Sequence, residues 1–102
     1  MKKNKIQIIG AGAFGTGFAN FTAKSGFDVS IFSKREEIIN EINISNRSPK
    51  LPNIKLEPNL KAISKINSNL DYIFFATPSE NLIDAFEEAQ GFLGDKTKIV
   101  IL

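Results

Sequence analysis

A short apolar run, Ile6-Gln7-Ile8-Ile9, breaks into Gly10, Gly12 and Gly15 at the spacing G-x-G-x-x-G. Few folds are open to a chain built this way. The run has the length of a buried strand, and the glycines mark a turn too tight for side chains. Gly10 can take the backbone angles of a sharp strand-to-helix turn without a Cβ clash. Gly12 leaves nothing between the backbone and a bound pyrophosphate, and Gly15 lets the following helix pack closely on the strand. The helix N-terminus beyond them presents unpaired N–H groups and partial positive charge, which suits a phosphate without any lysine. Glycines also cluster in ordinary turns. The strand before and the helical pattern after make this loop a candidate dinucleotide cradle.

Further short apolar runs occur at Val29–Phe32, Tyr72–Ala76 and Ile99–Leu102. Each is nearly continuous rather than alternating, as expected of strands buried on both faces of a parallel sheet. Leu60–Ser64 is a weaker strand pattern. Between the runs, Phe14, Phe18, Phe21 and Thr22 recur at helical spacing, and Gly26 gives a natural stop. Gly17 sits inside that helix, where glycine costs up to ~1 kcal/mol against alanine, and is read as serving close packing. Ser33-Lys34-Arg35-Glu36 has the capping-box form, followed by Ile38, Ile39 and Ile42 on one face. Ser79 is placed to cap a third helix with the stripe Leu82, Ile83, Phe86 and Ala89. This order predicts an α/β fold: a Rossmann-type doubly wound parallel sheet of about five strands with helices on both faces. Asn43–Asn59 carries Pro49, Pro52 and Pro58 and reads as a fixed surface loop. No repeat, low-complexity tract or interdomain linker divides residues 1–102, which read as one dinucleotide-binding domain.

Composition narrows the chemistry. The 102 residues include no cysteine and no histidine. That removes thiolate metal sites, nucleophilic thiols and the commonest general base, and it suits a reducing cytoplasm. No metal site is expected. The formal charge of +2 is spread along the chain, which speaks against nucleic-acid binding. Met1-Lys2-Lys3-Asn4-Lys5 looks like the head of an export signal, but the apolar run behind it ends at Gly10. Such signals need ~7–15 apolar residues and membrane spans ~20. No membrane span is expected.

About twenty residues beyond the glycine loop, an NAD-selective site places an acidic residue on the ribose 2′-hydroxyl. Here the chain reads Phe32-Ser33-Lys34-Arg35. A hydroxyl and two cations suit a 2′-phosphate, with Arg35 able to bond it through two parallel N–H groups. Two readings stand: a 2′-phosphate subsite, or solvated residues in the first turn of a helix. Glu36 and Glu37 lie close behind. The pattern tilts toward NADP and leaves NAD open.

Three stretches, IIGAGAFGTG, SPKLPNIKLEPNL and DYIFFATPSENL, together resemble the N-terminal domain of bacterial NAD(P)-dependent glycerol-3-phosphate dehydrogenases. The resemblance covers essentially the whole chain, and the L-P-N-I-K-L segment discriminates it from other reductases. It implies that Gly10, Gly12, Ala13, Phe14 and Gly15 line the pyrophosphate. Phe14 stands where the family usually has Trp or Tyr, and Gly17 where it usually has Ala. Lys34 falls where the family contacts the adenosine end of NADPH. Thr77 and Pro78, with Ser79, match the turn beside the nicotinamide half; a plain helix start is the alternative reading. The implied activity is hydride transfer between NAD(P)H and dihydroxyacetone phosphate or glycerol 3-phosphate.

The family's catalytic lysines and helical substrate domain match nothing here, so no catalytic residue is assigned and the chain alone is expected to be inactive. Lys24, Lys50, Lys55 and Lys61 read as solvated surface. A non-catalytic dinucleotide-binding remnant and the Rossmann domain of another hydroxy-acid dehydrogenase remain alternatives. The last run, Ile99–Leu102, reads as an edge strand that leaves the sheet incomplete at its C-terminal side and invites self-association.

Overall fold

The computed structural model describes residues 3–102; Met1 and Lys2, part of the basic start, lie outside the described residues. Five strands form one all-parallel sheet: β1 (Lys5–Ile9), β2 (Asp28–Phe32), β3 (Lys61–Ile63), β4 (Tyr72–Phe75) and β5 (Lys98–Ile101). Their spatial order is β3-β2-β1-β4-β5. The chain leaves β1 to one side through β2 and β3, then returns to β1's other side as β4. That reversal is the switch point at which open α/β sheets bind ligands, beyond the carboxyl ends of the strands.

Helix α1 (Ala13–Lys24) joins β1 to β2, α2 (Glu36–Asn40) follows β2, and α3 (Leu82–Ala89) precedes β5. Two apolar layers result. On one face Ile6, Ile8, Val29 and Ile31 meet Ala19 and Ala23 of α1 and Ile38 of α2. On the other, Ile9, Phe32, Ile73 and Phe75 meet Ala89, with Leu82, Ala85 and Phe86 packed against them. Phe75 and Phe86 pack edge to face at 4.4 Å.

Helix α1 turns a different side to the sheet from the one its aromatics predict. The buried residues are Gly15, Thr16, Ala19, Thr22 and Ala23, whereas Phe14 and Phe21 are 64% and 66% exposed. The cause is distance: small residues let the helix lie close to the strands, and a phenylalanine row would hold it off. Only Phe18 bridges the two sides, tilted against Phe74 at 4.9 Å. The stop at Gly26 is as expected. Its N–H donates to the Ala23 carbonyl and that of Phe27 to Thr22, with Gly26 at φ +96°. This double closure is a Schellman turn.

Two expected caps are absent. No side chain caps α2, whose boundary residue is Arg35; the Ser33 hydroxyl instead accepts the Arg35 N–H at 3.1 Å, closing the turn out of β2. Ile38 and Ile42 are buried as predicted, but α2 widens into a π-helical turn at Glu41–Ser45. Ser79 opens a 3₁₀ turn, Ser79–Asn81, and caps nothing; α3 begins at Leu82. Ile83 faces solvent, and Ala85 takes its place on the packed side.

The proline-bearing interval is more than surface. Ser48 and Leu56 are buried within it. Asn20 of α1 accepts the Glu57 N–H at 2.7 Å, and Asn59 donates to the Ala23 carbonyl at 3.1 Å. Asn43 braces β3 by bonding both the N–H and the carbonyl of Ala62, each at 2.8 Å.

Strands β1 and β4 are covered on both faces, but β5 is not: its Ile99 and Ile101 are 50% and 56% exposed, and Leu102 just after it is 42% exposed. Gln7, the polar residue in the first apolar run, is fully buried. Its amide donates to the Lys65 carbonyl and accepts the Asn67 N–H, each at 2.8 Å, so it ties the β3–β4 connection to the centre of the sheet.

Candidate functional site

Strand register assembles the site. Ile63, Phe32, Ile9, Phe75 and Ile101 pair across the sheet as one row near its carboxyl edge. The next residues on the three central strands are Ser33, Gly10 and Ala76, which therefore meet at the rim. The Ile9 carbonyl accepts two bonds there, from the Ala76 N–H at 2.8 Å and the Thr77 hydroxyl at 3.2 Å. The rim under the glycine loop is thus fixed by hydrogen bonds between β1 and β4.

The three glycines have separate jobs. Gly10 sits at φ +121°, and a Cβ built on it would lie 2.6 Å from the Ala76 carbonyl oxygen. Gly15 is buried, and its Cβ would overlap the Gly10 carbonyl oxygen. Both are required by the fold itself. Gly12 is required by nothing in the fold: its backbone is extended, at φ −76° and ψ −172°, and an added Cβ would meet no atom within 4 Å. The space beside it is open. Gly17 is also unconstrained, since its Cβ would lie an ordinary 3.7 Å from Leu51. The close-packing reading of Gly17 does not hold.

That space belongs to a cleft of about 680 Å³ across the carboxyl ends of β1, β2 and β4. Of the residues expected from sequence, Gly10, Gly12, Ser33, Lys34, Arg35, Thr77 and Pro78 line it. Ala13, Phe14 and Gly15 do not. They form the first turn of α1, where the first intrahelical bond is Thr16 N–H to the Gly12 carbonyl. Their own N–H groups have no intrahelical partner, and these amides are what the turn can offer an anion. The Phe14 ring points away into solvent.

Sequence reasoning missed the cleft's far wall. Asn81, Asp84, Ala85 and Glu88, from the 3₁₀ turn and α3, line it opposite the β2 end. Lys50, read as plain surface, reaches the cleft from the proline-bearing loop. Ile9, Phe32, Ile66 and Ala85 give it an apolar floor suited to a flat ring. Glu88 and Lys34 form an ion pair of 2.9 Å between the two walls. No local pattern in the sequence could signal a contact between elements so distant along the chain.

Among the described residues no three His, Cys, Asp or Glu side chains gather to hold a metal, and no helix is long and apolar enough to cross a membrane.

The model of the NAD-dependent glycerol-3-phosphate dehydrogenase N-terminus matches residues 5–102. Glycerol-3-phosphate dehydrogenase (NAD(P)+) of Clostridium botulinum is 31% identical over 101 residues, covering 95% of this chain and 31% of that protein. Two solved glycerol-3-phosphate dehydrogenases share the fold. That of Coxiella burnetii superposes with a TM-score of 0.87 at 24% identity, over 97% of this chain and 32% of its own. That of Saccharomyces cerevisiae gives 0.90 at 23%, over 98% and 33%. The chain spans about a third of the length of these relatives.

Proposed function

The chain belongs to the family of the NAD-dependent glycerol-3-phosphate dehydrogenase N-terminus, and from that premise we propose that residues 1–102 hold NAD(H) or NADP(H) for a glycerol-3-phosphate dehydrogenase. The observation that carries the reading is Gly12: a glycine demanded by neither backbone angle nor packing, at the mouth of the cleft. A pyrophosphate passing over it supplies the reason for its missing side chain. The α1 first-turn amides of Ala13, Phe14 and Gly15 would bond the phosphates, with Gly10 and Gly12 admitting them. Thr77 and Pro78 form the β4 side of the cleft, and Ser33, Lys34 and Arg35 its β2 side. When bound, the nicotinamide supplies hydride transfer to or from a carbon.

The whole-protein reaction we infer is interconversion of glycerol 3-phosphate and dihydroxyacetone phosphate. About two thirds of each relative lies outside the match, and we assign the substrate-binding and catalytic groups to such a further part of the protein, in a helical domain. Within this chain no residue is assigned as acid or base. Its share is to bind and orient the coenzyme. A cytoplasmic setting is part of the same proposal, since a chain without cysteine suits a reducing compartment.

Titration calorimetry of the chain with NADH and NADPH tests the reading. Saturable binding of either at one site is expected, with no turnover of dihydroxyacetone phosphate. Absence of binding to both would refute it.

A further inference from the structure

The β2 end of the cleft offers cations but no carboxylate in its own sequence, and the fold brings one there from elsewhere. Glu88, on α3, stands 2.9 Å from the Lys34 Nζ across the cleft. The charged residues lining the cleft are Lys34, Arg35, Lys50, Asp84 and Glu88. Both acidic members come from α3, and only Glu88 is bonded to a cation of the β2 end. Arg35 has its nearest acidic partner, Glu37, at 4.0 Å and outside the cleft lining.

We propose that Glu88 is a specificity-determining residue of the dinucleotide site, occupying Lys34 and weighting the site against a 2′-phosphate relative to a 2′-hydroxyl. The inference rests on the dinucleotide reading above. A 2′-phosphate carries close to two negative charges. To use Lys34 it must displace the Glu88 carboxylate or share the ammonium with it, and either way it faces that negative charge on the cleft wall. A 2′-hydroxyl meets neither cost, because it is neutral and can donate to a carboxylate. The pair is exposed, 70% at Lys34 and 41% at Glu88, so it is weak enough to open for a ligand. Glu88 therefore tunes the balance between the two coenzymes and does not block either.

Adenosine 2′,5′-bisphosphate and 5′-AMP isolate this end of the ligand, since they differ only in the 2′-phosphate. Calorimetry with both, on the full chain and its Glu88→Gln and Glu88→Ala variants, tests the proposal. Both variants should tighten the bisphosphate by roughly 3- to 10-fold, the scale of one surface charge acting on a dianion. Affinity for 5′-AMP should stay within about two-fold. Structural damage would weaken both ligands together and leave their ratio unmoved. An unchanged ratio in both variants, or a weakened bisphosphate alone, would overturn the role given to Glu88 while leaving the dinucleotide site standing. Failure of the unsubstituted chain and the variants to bind either nucleotide would refute the dinucleotide reading and this inference with it.

Discussion

Substituting Gly12 by valine separates the ligand's demands from the fold's. The Gly12 backbone is extended and an added Cβ meets no atom within 4 Å, so the fold leaves room there for the start of a side chain. Replacing a glycine N-cap by an apolar residue costs roughly 0.5–1 kcal/mol. Fewer unfolded conformations return about 0.4–1 kcal/mol. The two nearly cancel, and the melting temperature should move by less than about 5 °C. Binding should respond quite differently. The valine side chain fills the approach to the α1 amides, and each charge-assisted bond lost to a phosphate is worth about 1.5–3 kcal/mol. Losing one such bond weakens affinity by at least about tenfold. Gly15→Ala is the internal control. Its Cβ overlaps the buried Gly10 carbonyl, which should cost roughly 3 kcal/mol of stability. Calorimetry with NADPH and thermal unfolding on both variants give the readout. Gly12→Val binding NADPH as tightly as the unsubstituted chain, or unfolding as readily as Gly15→Ala, would refute the assignment of Gly12 to the ligand.

Other perturbations test the fold and its edges. Gly17→Ala should stabilise the chain by about 0.5–1 kcal/mol in denaturant melts, because the new methyl sits 3.7 Å from Leu51 in a helix interior. A loss of stability would mean that α1 lies closer to the proline-bearing loop than described. Gln7→Leu should cost about 2–4 kcal/mol by the same measurement, since it strands the Lys65 carbonyl and the Asn67 N–H that Gln7 bonds at 2.8 Å. A neutral result would show that both groups find water. The chain should also self-associate through β5, whose Ile99 and Ile101 are half exposed along an unpaired edge. Sedimentation should show concentration-dependent dimers that Ile101→Lys reduces; a clean monomer at high concentration would count against it.

Legibility in the sequence followed the range of the forces involved. The strands were readable because each apolar run is short, contiguous and bounded by turn residues. The glycine loop was readable because its spacing encodes local geometry, and Gly26 because a Schellman turn is closed within one stretch of chain. What escaped depends on neighbours far along the chain. The packed face of α1 is decided by how near the sheet lies, so alanine and threonine turn inward where phenylalanine was expected. Gln7 interrupts an apolar run with no local reason, and its partners are the backbone of the distant β3–β4 connection. In the site, the β2 residues were legible by their distance from the glycines. Lys50 and Glu88 were not, because only the topology brings a loop and a late helix to the same cleft. The expected caps at Ser33 and Ser79 failed for a smaller reason: each serine serves or starts a tighter turn one step before its helix.

In the proposed site, backbone amides at the β1–α1 turn receive a diphosphate in the cleft between β1, β2 and β4. Amide resonances of the ¹⁵N-labelled chain, followed as NADPH is added, test it residue by residue. Saturable shifts are expected at Gly12, Ala13, Ser33, Lys34 and Thr77, with Ile99 and Ile101 unmoved. Shifts confined to the β5 edge, or none at any concentration that saturates a genuine site, would contradict it.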